Sequence, residues 1–87
     1  MNKKEYELLK KLRGNDKDSY RELFFLYYQP LLAFAKKFVD EESAKDFIQD
    51  CFFNLWNDRK KINITTSIPA YLFTIIKNRC YKSLNLI

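Results

Sequence analysis

Apolar residues along this chain return every three or four positions in four separate runs, the period of helices that bury one face. In KKEYELLKKLR, residues 3–13, Tyr6, Leu9 and Leu12 share one side, and Gly14 with Asn15 ends the run. Asp16 or Asp18 offers the cap for a second helix starting near Ser19. Its stripe continues through Tyr20, Leu23, Phe24, Tyr27, Leu31, Ala35 and Phe38. Pro30 lies within it and removes a backbone donor, which predicts a kink or a break. DEES, residues 40–43, provides caps and early acidic charge for a third helix reaching about Asp58. There Ala44, Phe47, Ile48, Cys51, Phe52 and Leu55 gather on one side. RKKINITTSI, residues 59–68, loses the helical period and gains β-branched residues, so it reads as a loop or short extended segment. Pro69 then opens a fourth helix at its first turn, where a missing N–H costs nothing.

Four helices in 87 residues make a single all-α domain over 1–87, a compact bundle around one core. One glycine and two prolines cannot supply the turns of a hairpin-rich fold. No apolar run approaches a membrane span, and the charged, amphipathic start lacks the apolar block of a secretory signal, so a cytoplasmic location is expected. Leu84, Leu86 and Ile87 end the chain on apolar residues, which leads us to expect that the natural chain continues.

Candidate catalytic chemistry is sparse. Cys51 and Cys80 fall near apolar stripes, and the chain has no histidine, which favours buried free thiols over a disulfide or metal pair. Neither thiol has an evident activating base, so no enzyme activity, cofactor or metal is expected. The glycosylation triplet Asn63-Ile64-Thr65 carries no weight in a cytoplasmic chain.

Charge is segregated along the chain. Residues 1–39 hold nine basic and five acidic side chains, residues 40–58 one and six, and residues 59–87 six and none. The acid-free end suits a polyanion, whereas the acidic middle suits a basic protein surface.

Two helix faces follow from this. The outward side of the third helix carries Asp46, Gln49, Asp50 and Asn57 around Phe53 and Trp56. Aromatic anchors within a polar rim have the composition of a binding hot spot. The wheel leaves open a second reading, in which a neighbouring element covers Phe53 and Trp56 and Asp46 merely completes a capping box with Ser43. On the fourth helix Leu72, Phe73, Ile75, Ile76 and Cys80 point to the core. Tyr71, Thr74, Lys77, Asn78, Tyr81 and Lys82 lie opposite, with Arg79 at the edge. Tyrosines interleaved with cations and an amide can stack bases and bind phosphates. Beside the basic loop residues Arg59, Lys60 and Lys61, this face favours nucleic acid, single-stranded rather than duplex, over an ordinary solvated surface.

With both faces placed, the chain resembles the second conserved region of bacterial RNA polymerase sigma factors of the extracytoplasmic-function type. The likeness runs from LLKKLRGND to YKSL and is most specific in the AxDxxQDxFxxLW pattern of residues 44–56. It implies that Asp46, Gln49 and Asp50 contact the clamp helices of the largest subunit of core RNA polymerase; Phe53 and Trp56, on the same face by helical spacing alone, are added as adjoining anchors. The loop from about Ile62 to Ile68 resembles the segment that holds a base flipped out of the minus-ten promoter element. Asn78 matches an asparagine near that base, and Tyr71, Lys77, Arg79 and Lys82 would face the opened single strand. This loop has no aromatic residue, so stacking would fall to Ile62 or the helix tyrosines. The family's promoter-reading helix-turn-helix domain is absent from these 87 residues. An anti-sigma protein could occupy the same surfaces. Two rival functions remain at this stage, a helical protein-interaction module without DNA binding and a small double-stranded DNA regulator.

Overall fold

Every helix begins at a side chain able to cap it. In the computed structural model, which describes residues 1–85, α1 spans Lys3–Arg13, α2 Lys17–Ala35, α3 Glu41–Asn57 and α4 Ile68–Ser83. Leu86 and Ile87, part of the apolar ending noted above, lie outside the described residues. Asn2, Asp16, Asp40 and Ser67 each accept a hydrogen bond from a backbone N–H of the following first turn. At α1 the cap is reciprocal, because Glu5 also accepts from the Asn2 N–H. Asp40 caps α3 through the Ser43 N–H, so the capping box considered for Ser43 and Asp46 does not form.

Gly14 and Asn15 end α1 as expected. Gly14 has a φ of −83°, and Asn15 takes the left-handed conformation with a φ of 68°. Asparagine tolerates that region better than other side-chain-bearing residues. Its amide oxygen also accepts a 2.9 Å hydrogen bond from Arg59 Nε.

Pro30 does not break α2, which runs on to Ala35. Pro30 cannot donate to the Leu26 carbonyl, but both residues are exposed, so water can serve that acceptor. Leu23, Leu31, Leu32 and Ala35, all buried, anchor both halves of the helix on its other side.

The core is continuous. Helix α2 packs against α1, α3 and α4, and α3 packs against α4. Leu8, Leu9 and Leu12 enter from α1, while Tyr6, expected on that stripe, is exposed. Helix α3 contributes Ala44, Ile48, Cys51, Phe52 and Leu55, and α4 contributes Ile68, Leu72, Ile76 and Cys80. Both cysteines are free and buried. Burial pushes the Cys51 thiol up to about 11 and raises that of Cys80, since a thiolate loses its hydration there. Among the described residues no helix is long and apolar enough to cross a membrane.

Candidate polymerase and nucleic-acid interface

Burial of one side of α3 fixes what the other side presents. With Ile48, Cys51, Phe52 and Leu55 held in the core, Asp46, Gln49, Asp50, Phe53 and Asn57 are exposed. Phe53 is 63% exposed, an apolar ring among acceptors. Trp56 departs from the expectation of a free anchor and is half-buried. Its ring packs 5.1 Å from that of Tyr20, and the Arg59 guanidinium lies over it at 4.0 Å. Arg59 also donates through Nη1 to the Trp56 carbonyl at 2.7 Å. Tyr20 is locked in turn by a 2.8 Å bond from its hydroxyl to the Phe52 carbonyl, and burial raises its pKa. Arg59 is thus committed to the end of α3 rather than left free in the basic loop.

On α4, Thr74, Lys77, Asn78, Arg79 and Lys82 are exposed, while Tyr71 and Tyr81 are half-buried. Tyr81 meets Phe38 edge to face at 5.5 Å, and Lys77 Nζ lies 5.9 Å from its ring, the outer limit of a cation–π contact. Burial, with Cys51 and Asp58 adding to it, raises the Tyr71 pKa. The tyrosines therefore offer edges rather than whole rings.

The two faces adjoin. Arg79 Nη2 sits 3.1 Å from Asp50 Oδ2, and its guanidinium lies 4.6 Å over the Phe47 ring. Residues expected to serve different partners hold each other. Both side chains are about half exposed, so the pair contributes at most about 1 kcal/mol and either partner can be drawn away.

Between these faces runs the loop after α3. Its residues Lys60, Lys61, Asn63, Thr65 and Thr66 are exposed. Ile62 and Ile64 are only 8% and 6% exposed and belong to the core. The assignment of Ile62 as a base-stacking residue is therefore corrected: its side chain is a peg beneath the loop. The outward groups are Asn63, Thr65 and Thr66, which sequence reasoning passed over. The alternation Ile62-Asn63-Ile64-Thr65 was the available signal, since in extended chain successive side chains point opposite ways.

One further surface was not anticipated. Phe24, Phe25, Tyr28 and Gln29 of α2 border a shallow apolar depression of about 340 Å³. Phe25, 87% exposed, stands farther into solvent than any other large hydrophobic residue described. Its side of α2 lay off the predicted stripe.

Residues 23–85 match the family model of Sigma-70 region 2. The match takes in most of α2 and all of α3, the loop and α4. No curated protein and no solved structure matches the chain.

Proposed function

The chain belongs to the sigma-70 region 2 family, and from that membership we propose a polymerase-docking and promoter-opening module of the extracytoplasmic-function type, acting in the cytoplasm. A sigma factor role in transcription initiation, with core RNA polymerase and promoter DNA as partners, comes with the family. Each partner has its own surface. Asp46, Gln49, Asp50 and Phe53 of α3 meet the clamp helices of the largest polymerase subunit. Trp56 contributes the edge left free by Tyr20 and Arg59.

Lys60 and Lys61 of the loop, with Thr74, Lys77, Asn78, Arg79 and Lys82 of α4, bind the opened minus-ten strand. Tyr71 and Tyr81 present partial rings to its bases. Flipping a base forfeits stacking worth a few kcal/mol, which contacts to the base and phosphates must offset. These contacts come from binding alone and need no cofactor. An anti-sigma protein would act by covering these same surfaces.

The observation that carries this reading is the joint exposure of Phe53 with Asp46, Gln49 and Asp50 on one helix, bordered by an acid-free cationic face on the next. Retention of core polymerase by immobilised chain tests it. Wild type retains polymerase, Asp50→Arg and Phe53→Ala lose it, and Lys77→Glu/Lys82→Glu keeps it while losing single-stranded minus-ten DNA. Intact DNA binding after that double charge reversal would favour the plain protein-interaction module. Equal binding of duplex and single strand without polymerase would favour the double-stranded regulator.

A further inference from the structure

The loop of residues 59–67 has no helix or strand of its own, yet it is tied at three points, one through a side chain and two through the backbone, to one short stretch of chain outside the family match. Near its start, Arg59 Nε donates to Asn15 Oδ1 at 2.9 Å. Farther on, Arg13 Nη2 donates to the Ile62 carbonyl. At its end, Glu5 Oε1 accepts from the Ile68 N–H at 2.7 Å, while Oε2 accepts from the Asn2 N–H at 3.3 Å. Glu5 thus places one carboxylate at the positive ends of both α1 and α4.

The start of α4 has no spare partner for that N–H. Ser67 Oγ accepts from Ala70, Pro69 has no donor, and the Tyr71 N–H goes to the Ser67 carbonyl. Without Glu5 the part-buried Ile68 amide would be left unsatisfied. Ile62 and Ile64 pin the loop from below, in the same core as Leu8, Leu9 and Leu12 of α1.

We propose that α1 shapes the loop that reads the promoter base, with Glu5 and Arg13 as positioning residues that hold Asn63, Thr65 and Thr66 outward without touching DNA. The inference rests on the proposed function for its ligand, and on geometry alone for its loop. A loop ordered before it meets a strand loses less entropy on binding, and fixed polar tips discriminate between bases better than mobile ones.

Arg13→Met keeps the apolar stem and removes the donor, while Arg13→Lys restores one. Glu5→Ala and Glu5→Gln form the corresponding pair. The first measurement is amide exchange in the 87-residue chain. In Arg13→Met, exchange of the hydrogen-bonded Ile62 and Ile68 amides should rise about tenfold, with α2 and α3 unchanged. The second is binding of fluorescein-labelled single-stranded oligonucleotides differing at one base, in the presence of core polymerase. Affinity for the preferred oligonucleotide should fall about tenfold, the ratio between best and worst base should shrink, and Arg13→Lys should recover part of both.

Unchanged loop exchange would overturn the scaffold role whatever the chain binds. Faster exchange with unaltered affinity and base ratio would overturn the positioning role. If wild-type chain with polymerase binds none of the oligonucleotides, the assignment of the loop to DNA fails and the inference falls with it. In that case the exchange result would still report whether α1 orders the loop.

Discussion

Replacing Ile62 with alanine separates two roles that a surface loop residue could have. As a base-stacking group it would leave the folded domain untouched and weaken DNA binding. As the peg observed, 8% exposed and within the continuous core, it must contribute to stability. The substitution deletes Cγ1, Cγ2 and Cδ1. At about 0.8 kcal/mol per buried carbon, and with a loop able to relax into part of the void, the loss comes to about 2–3 kcal/mol. A domain of this length holds roughly 4–13 kcal/mol in total, so the loss is a large share. It corresponds to a melting temperature lower by roughly 10–20 °C. Urea unfolding followed by the emission of Trp56, the sole tryptophan, is a direct assay. With an m-value of about 1 kcal/mol/M, the midpoint should fall by roughly 2 M. Exposed Lys60→Ala and Lys61→Ala serve as neighbours that should shift stability by less than about 0.5 kcal/mol. An unchanged midpoint for Ile62→Ala, coupled with lost oligonucleotide binding, would refute the reasoning and return Ile62 to the DNA-contacting set.

Three further outcomes are expected. Arg59→Ala strips the guanidinium from Trp56 and the bond from Asn15, costing about 1 kcal/mol, and should red-shift Trp56 emission and increase its quenching by acrylamide. Asp50→Asn and Arg79→Gln, made singly, should each lower stability by less than about 1 kcal/mol in chemical denaturation, so that any loss of polymerase or DNA binding reports the contact and not the fold. The thiol of Cys51 is raised from 9.0 to about 11 on folding, so the native state keeps its proton where the unfolded chain has lost it. Its contribution is complete below about pH 9 and is lost as pH rises toward 11, worth at most about 2–3 kcal/mol. Unfolding free energies in Cys51→Ala should therefore decline less steeply across that interval.

Local chemistry was enough to specify the four helices. Asp16, Asp40 and the Pro69 region mark starts that the structure keeps to within a few residues, because capping and proline geometry act over one turn. The apolar stripe of α3 was likewise legible, since its period is a property of the helix itself. That stripe also determined that Phe53, Asp46, Gln49 and Asp50 would share the opposite side. Helical spacing gives an angle about a helix's own axis and says nothing of what lies across from it. Tyr20 beside Trp56, Arg79 beside Asp50, and Arg13 and Glu5 within and at the end of the loop join positions far apart along the chain. The same limit applies to Ile62 and Ile64. Their alternation showed that one side of the loop differs from the other. Only the tertiary core that receives them decided that the isoleucines turn inward, which leaves asparagine and threonine exposed to solvent.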